Sequence, residues 1–264
     1  MSTVFFICLV VGAFSGLMSG LFGIGGGIII IPALVAIFSY FSVVPSAIAM
    51  HMAVGTSLAT IIVTTASSVT SHHRRGSVSW GMLKILLPGL VVGSIVGVVV
   101  AGYLPSHVLV RLFSLFLLFV GVHLLFSKQR LTVQAAPSPL SMKVVSGLIG
   151  ALSGMLGVGG GVILVPYLWR CQLEMRSAVG TSAACGFAVG VVATIAYMMM
   201  GVVSVPLVPW STGYIYWPAF LGVGLASVFF APLGVMLAHR LPREMLRRTF
   251  AVLVLFVAVD MLIR

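Results

Sequence analysis

The chain has 264 residues, of which 61% are hydrophobic and only 6% are charged. Its 14 Lys and Arg residues outnumber three acids, and the net charge of +11 is spread in short clusters between apolar stretches. Stretches of about 20 apolar residues can cross a bilayer, so the composition excludes a soluble fold, and the basic clusters indicate membrane topology instead of nucleic-acid binding. The clearest such stretches are residues 85–103, 109–126, 178–200 and 215–238.

A glycine-rich segment interrupts the first apolar stretch, and it occurs again in the second half of the chain. Residues 16–34 read GLMSGLFGIGGGIIIIPAL and residues 150–168 read GALSGMLGVGGGVILVPYL, which are identical at ten of nineteen positions. Each glycine destabilises a helix interior by roughly 1 kcal/mol relative to alanine, so both segments predict a helix break. In membrane proteins, paired breaks at matching positions of two halves point to a transport site.

Four further segments repeat in the same order. Residues 53–57 (AVGTS) return as 178–182, and Leu104-Pro105, Arg111 with Phe113, and residues 118–120 return 137 positions later. These matches predict an internal duplication. We expect a first transmembrane repeat over 1–128, a polar, proline-containing cytoplasmic linker over 129–142, and a second transmembrane repeat over 143–264.

The second break allows two topologies. Only eight residues separate it from the polar RCQLEMR segment, so residues 144–169 form either one continuous span or a hairpin that enters the membrane and returns. If the loop containing Arg74 and Arg75 is cytoplasmic, a hairpin also puts Arg170, Arg176 and the bases of 240–248 inside, as the positive-inside rule favours. We therefore predict an all-α polytopic membrane protein of two inverted repeats. Each repeat has a broken hairpin and three spans, eight to ten segments in all, with both termini outside.

The residues that carry most enzyme chemistry are sparse. The three acids, Glu174, Glu244 and Asp260, all fall near predicted membrane interfaces, and no nucleophile–base pair can be placed in the interior. The three cysteines are widely spaced and form no metal-ligand pattern, and His72 and His73 need no metal beside Arg74. We expect no enzyme, no cofactor and no metal site.

The doubled Gly-x-x-Gly-x-Gly-Gly-Gly-x4-Pro motif, followed by Ala-Val-Gly-Thr-Ser, resembles the TauE/SafE sulfite exporter family, also called TSUP. The resemblance runs from Gly12 to about Leu262. It implies a membrane transporter of sulfite, sulfonates such as sulfoacetate, or related organosulfur anions. For some members it implies export.

The breaks themselves suit an anion. A broken helix exposes unpaired N–H groups and the positive end of its dipole, and glycines let an oxyanion approach them. The predicted contacts are Gly25, Gly26, Gly27, Ile28, Gly159, Gly160, Gly161 and Val162. The alternative is that these glycines only allow close helix packing, the role that we expect for Gly12, Gly16 and Gly20.

Polar side chains near the breaks are further candidates. Thr56, Ser57, Thr181 and Ser182 offer hydroxyl donors at equivalent positions, although each could bond to its own helix carbonyls. Ser19 and Ser153 precede the breaks and are weaker candidates. His51 and Arg176 both lie two residues before the AVGTS segments, and either a substrate contact or a structural role fits each of them.

These features predict a secondary transporter that moves small sulfur-containing anions across the prokaryotic inner membrane by alternating access at a midplane site. The alternatives are an anion channel or an uptake transporter for another small anion. The few acids disfavour a carboxylate proton relay or a Na⁺ cage, which leaves uniport or His-linked proton coupling. The expected partners are a small anion and the lipid bilayer, with no nucleic acid, and a homodimer is left open.

Overall fold

The computed structural model describes residues 2–22, 25–126, 138–204, 208–238 and 243–263. Within them the chain forms ten helices and one short β-hairpin. The elements of the first half are α1 (Ser2–Phe22), α2 (Gly27–Tyr40), α3 (Ser46–Arg74), α4 (Trp80–Tyr103) and α5 (Ser106–Phe126). Those of the second half are α6 (Pro139–Leu156), α7 (Gly161–Arg170), α8 (Met175–Ser204), β1 (Ser211–Thr212), β2 (Ile215–Tyr216), α9 (Trp217–Ala238) and α10 (Arg243–Ile263).

The element order confirms the predicted all-α polytopic class. Seven helices of the described ranges are long and apolar enough to cross a membrane, whereas α2 and α7 have only 14 and 10 residues. Most of the predicted linker, residues 129–137, lies outside the described residues, as do Lys128, Arg240 and both terminal residues. The helix α6 begins inside the predicted linker, at Pro139, where the Ser138 side chain accepts a hydrogen bond from the Ser141 N–H.

At each glycine break the chain turns back along the helix that it has just left. The Ser15 hydroxyl of α1 donates to the carbonyl of Gly26 at 3.4 Å. A Cβ atom on Gly160 would lie 3.0 Å from Ser153 Oγ and 3.8 Å from Ile149, eleven residues earlier on α6. Contacts this far back along one helix require a hairpin, because a continuous span would carry residue 160 away from residue 149.

The two halves exchange helices. The first helix of each half packs along the fourth helix of the other half, so that α1 lies on α9 and α6 lies on α4. A Cβ atom on Gly12 would lie 2.5 Å from the Val223 carbonyl oxygen, and one on Gly150 would lie 2.5 Å from that of Leu90. Only glycine allows backbones to approach so closely, which is the packing that membrane helices use where they lack a hydrophobic driving force. The Ser227 hydroxyl adds a hydrogen bond to the Gly12 carbonyl at 3.0 Å.

The third element of each half lies at the centre, where α3 packs against α8. Gly180 faces His72, Gly186 faces Thr65, and Gly190 faces Ile61 and Ile62. Residue numbers rise on one helix as they fall on the other, so α3 and α8 are antiparallel. Along α1/α9 and α4/α6 the contacting numbers rise together, so those pairs are parallel.

Candidate functional site

The two glycine breaks have nearly the same backbone conformation. Gly25 and Gly26 have φ values of 79° and 75°, and Gly159 and Gly160 have values of 69° and 75°. Gly26 and Gly160 are the N-cap residues of α2 and α7, with ψ values of −17° and −15°. This left-handed conformation costs an L-residue with a side chain roughly 1–2 kcal/mol, and glycine avoids that cost. The glycine runs therefore specify the break itself.

A short helix begins at each break, and its first N–H groups have no carbonyl of an earlier turn of that helix to donate to. The N–H groups of Ile163 and Leu164 donate to the Gly160 carbonyl at 3.1 and 2.8 Å, and those of Ile29 and Ile30 donate to Gly26 at 3.0 and 3.1 Å. Within the described part of the chain, the N–H groups of Gly161 and Val162 make no hydrogen bond. Unpaired N–H groups at a helix start carry the positive end of the helix dipole.

The breaks of the two halves meet each other. A Cβ atom on Gly27 would lie 2.6 Å from the Gly157 carbonyl oxygen and 3.1 Å from Val158 Cα. The Ser57 hydroxyl of α3 donates to the same Gly157 carbonyl at 3.1 Å. Ser57, a predicted ligand contact, thus ties α3 to the second break.

A cavity of about 50 Å³ lies beside this meeting point. Its lining includes four of the predicted site residues, Gly25, Gly159, Gly161 and Ser182. The other lining residues are Ser19, Ile61, Thr64, Thr65, Ser68, Ala183 and Gly186. A buried water needs about 10–15 Å³ measured in this way, so the cavity has room for a few waters or one small oxyanion. The lining residues that the structure describes include no charged side chain.

The Ser182 hydroxyl is the polar group most available to a guest in this cavity. The residue is only 2% exposed, and its Oγ atom has no hydrogen-bond partner. Buried hydroxyls in folded proteins nearly always have a partner, and leaving one unmade costs about 1–3 kcal/mol. Ser182 and the Gly161 N–H therefore offer two unused donors to the same cavity.

Thr56 and Thr181 have a different position, outside the cavity lining. The Thr56 hydroxyl accepts a hydrogen bond from the Tyr216 N–H at 3.0 Å, and the Thr181 hydroxyl accepts one from the Ser79 N–H, also at 3.0 Å. Tyr216 and Ser79 immediately precede α9 and α4. Each AVGTS segment therefore holds the start of the fourth helix of the opposite half, which is α9 for the first segment and α4 for the second.

The glycine before each of these threonines completes the contact. A Cβ atom on Gly55 would lie 2.5 Å from the Tyr214 carbonyl oxygen, and one on Gly180 would lie 2.5 Å from that of Ser77. Burial raises the pKa of Tyr214, so its phenol stays neutral and acts as a packing ring. We call these matched contacts of Gly55–Thr56 and Gly180–Thr181 the docking contacts.

Other predicted residues face away from the cavity. Gly26 faces Ser15, and Ile28 is 2% exposed within the hydrophobic core. Gly160 and Val162 line a separate narrow cleft with Phe116. Gly27 serves the contact between the breaks. The structure thus brings one face of each glycine run to the cavity and uses the other face for packing.

His51 and Arg176 are not brought to the cavity. The Nε2 atom of His51 lies 3.0 Å from the Ala101 carbonyl oxygen, and its ring stacks on Tyr214 with centroids 5.2 Å apart. Tyr214 also contacts Tyr197, whose hydroxyl donates to the Met155 carbonyl at 3.4 Å. Arg176 is exposed at the start of α8.

Three hydroxyl residues of the cavity were not among the candidates. Thr64, Thr65 and Ser68 lie three, four and seven residues after Ile61, which places all four on one face of α3. The Thr64 and Thr65 hydroxyls donate back to the Ile61 carbonyl at 3.1 and 2.6 Å. Helical spacing of hydroxyls in an apolar span is a signal that could have found them.

Comparison with known proteins identifies a family and several relatives. The model of the sulfite exporter TauE/SafE family matches residues 8–261. A probable membrane transporter protein of Haemophilus influenzae is 34% identical over the full length of both chains. Another, from Methanocaldococcus jannaschii, is 26% identical over 91% of this chain and 89% of its own. A third, from Xylella fastidiosa strain Temecula1, is 27% identical over 94% of this chain and 91% of its own.

No solved structure matches the chain. The relatives are named as transporters and not as enzymes, which confirms the expectation from the sequence that this protein is not an enzyme. Because the family model covers nearly the whole chain and one relative is 34% identical from end to end, this multi-pass membrane transporter belongs to the TauE/SafE sulfite exporter family.

Proposed function

We propose that the protein is a secondary transporter that exports sulfite or a small sulfonate across the cytoplasmic membrane by alternating access. The observation that carries the proposal is the cavity at the meeting point of the two breaks, with the unpartnered Ser182 hydroxyl and the free Gly161 N–H at its wall. The family name supplies the substrate class, and the geometry supplies the reasons to expect an anion.

The donors at the cavity favour negative charge for three physical reasons. The start of α7 contributes the positive end of a helix dipole, which stabilises an anion by about 0.3–1 kcal/mol at a surface and up to about 2 kcal/mol when partly buried. A hydrogen bond to a charged group adds about 1.5–3 kcal/mol. The described lining holds no carboxylate that would repel an oxyanion.

The packing directions support halves of opposite orientation. If α3 ends in the cytoplasm at Arg74, the antiparallel α8 begins there, which puts Arg170 and Arg176 on the same side. The parallel pair α4 and α6 then both leave the cytoplasm, as a returning hairpin over α6 and α7 requires. This arrangement agrees with the positive-inside rule and leaves both termini outside.

Export follows from the energetics of an anion in an inside-negative membrane. A potential of 100 mV favours exit by about 2.3 kcal/mol per negative charge, so uniport suffices for export. Uniport fits a cavity whose described lining has no titratable side chain in it. A channel or an uptake transporter is the competing function, and flux kinetics distinguish them.

The test is sulfite flux into anaerobic proteoliposomes that contain the purified protein. We expect saturable flux that small sulfonates compete for and that neutral amides and cations leave unchanged, because a single site must reset before each turnover. Flux that rises linearly to tens of millimolar at ion-channel rates would favour a pore, and cation flux would contradict the anion site.

Two glycine variants test in the same assay whether transport depends on the breaks. Gly160→Leu forces a branched side chain into a left-handed N-cap, and Gly26→Leu does the same in the first half, so both should abolish flux in a protein that still inserts. Gly81→Leu is the control, because a Cβ atom there meets nothing within 4 Å. Unchanged flux in both break variants would place the site elsewhere.

A further inference from the structure

We propose that Ile61 is the gate on the outer side of the substrate cavity, and that the hydroxyl face of α3 at Thr64, Thr65 and Ser68 is the path between this cavity and the cytoplasm. The inference rests on the proposed function and on the orientation that it gives to α3. Where α3 crosses α8, it assigns closure of the cavity to the side of Ile61 and passage of the substrate to the side of Thr65.

Ile61 occupies the point where both breaks and α8 come together. The residue is fully buried. Its Cδ1 atom lies 3.2 Å from the position that a Cβ atom would take on Gly27, and also 3.2 Å from that on Gly159. Its Cγ2 atom lies 3.7 Å from the corresponding position on Gly190 of α8. One side chain therefore closes the space between three backbone segments.

The repeat-equivalent of Ile61 is Gly186, 125 residues later. Because α3 and α8 cross antiparallel, Gly186 lies beside Thr65, on the other side of the crossing from Ile61. Glycine leaves open the volume that isoleucine fills, and Gly186 lines the cavity. The space between α3 and α8 is therefore filled by a side chain beside Ile61 and left open beside Thr65.

The hydroxyl groups follow the same asymmetry. The repeat-equivalents of Thr64, Thr65 and Ser68 are Val189, Gly190 and Ala193, which carry no hydroxyl. Beyond Ser68, the same face of α3 reaches half-buried His72, which lies against Gly180, and the helix ends at exposed Arg74 and Arg75. A polar face that leads to a basic mouth attracts an anion from the cytoplasm.

Thiol accessibility tests the path without reference to any substrate. In a variant with Cys8, Cys171 and Cys185 replaced by alanine, Ser68→Cys should react with a membrane-impermeant maleimide in inside-out vesicles and not in right-side-out vesicles. Gln172→Cys marks the cytoplasmic face in the same vesicles. The matched control is Ala193→Cys, the repeat-equivalent of Ser68, which is fully buried and should react from neither side.

Labelling of Ser68→Cys from the outside, from neither side, or at the rate of Ala193→Cys would overturn the path. The gate is tested by adding Ile61→Ala to the Ser68→Cys protein, because Ser68 lies on the cytoplasmic side of Ile61. We expect labelling of residue 68 from the outside to rise at least tenfold. Leu117→Ala, which shortens an equally buried side chain on α5, should leave the rate unchanged.

The same variant gives a transport readout. Sulfite flux through Ile61→Ala should lose saturation and exceed wild-type flux several-fold at high concentration, with a smaller increase in the same direction for Ile61→Val. Outside labelling of residue 68 that is no faster in Ile61→Ala than in Leu117→Ala overturns the gate. If the cysteine variants show the gated labelling but the wild-type protein moves no sulfite, the result would instead contradict the proposed substrate alone.

Discussion

Two consecutive stretches of α3 and α8 repeat to very different degrees. The docking contacts match almost atom for atom, with hydrogen bonds of 3.0 Å at both Thr56 and Thr181. One turn further along, Ile61, Thr64, Thr65 and Ser68 on α3 correspond to Gly186, Val189, Gly190 and Ala193 on α8. The contacts that join the halves are symmetric, whereas the surface that faces the cavity is not.

The difference has a physical reason. Each docking contact fixes the loop before α4 or α9. Both of these helices must be fixed for the halves to fit together. A cavity between the halves is a single space, so its two walls need not carry the same groups. Along α3 and α8, the positions that match therefore form the contacts between the halves, and the positions that differ line the cavity.

The largest effect is expected at the docking glycines. Gly55→Val and Gly180→Val each place side-chain atoms against a backbone carbonyl that cannot move aside, a change at or above the upper end of the usual 1–3 kcal/mol for overpacking. Size-exclusion chromatography of the solubilised variants should show equal loss of the folded peak. A loss confined to one variant would break the equivalence of the two contacts.

Ser182→Ala should affect the substrate, and Ser57→Ala should affect stability. Ser182 Oγ has no partner, so its removal leaves thermal stability unchanged but raises the half-saturating sulfite concentration about ten- to a hundredfold, since a donor to an anion contributes about 1.5–3 kcal/mol. Ser57 donates to Gly157, and its removal lowers the melting temperature instead. Thermal shift and flux measured on both variants check the pair, and the reverse pattern would exchange the two roles.

Thr56→Val and Thr181→Val should behave alike. Each removes the acceptor of a backbone N–H, that of Tyr216 or Ser79, which then lacks a partner at a cost of about 1–3 kcal/mol. Equal falls in melting temperature, with serine at either position retaining most of the stability, are the expected result. A rise in half-saturating concentration without a loss of stability would return these residues to the substrate site.

The smallest effect is expected at the first glycine of each run. Replacing Gly25 or Gly159 with alanine should destabilise the protein by about 1–2 kcal/mol, because both positions have a left-handed backbone conformation. At Gly25 the new methyl group enters open space, whereas at Gly159 it meets Ile61 at 3.1 Å. We expect Gly159→Ala to lower the melting temperature further than Gly25→Ala, and equal falls would mean that Ile61 moves aside freely.

The features that the sequence alone predicted are local ones. A run of glycines cannot remain helical, so the breaks at Gly25 and Gly159 follow from backbone chemistry and need no knowledge of neighbours. The polytopic class follows from the length of the apolar stretches, and the family from the doubled motif, and both are confirmed. Ser182 was predicted from its hydroxyl and its repeat position, and it lines the cavity.

Long-range contacts were beyond reach from one sequence. Nothing near Thr56 indicates that its hydroxyl accepts from Tyr216, 160 residues later. Hydroxyl residues of membrane helices commonly bond to their own helix, as Thr65 does with Ile61, so Thr64, Thr65 and Ser68 did not stand out. His51 matches Arg176 in sequence, but its side chain lies against Tyr214 at a distance from the cavity that only the packing of α3 determines.

The exchange of helices between the halves has a consequence for biosynthesis. The partner of α1 is α9, which the ribosome makes about two hundred residues later, and the partner of α4 is α6, which follows once α5 and the linker have been made. When α5 has just entered the membrane, α1 and α4 both still lack the backbones that Gly12 and Gly93 contact in the finished protein. During translation the glycine faces of α1 remain against lipid or the insertion machinery until α9 arrives.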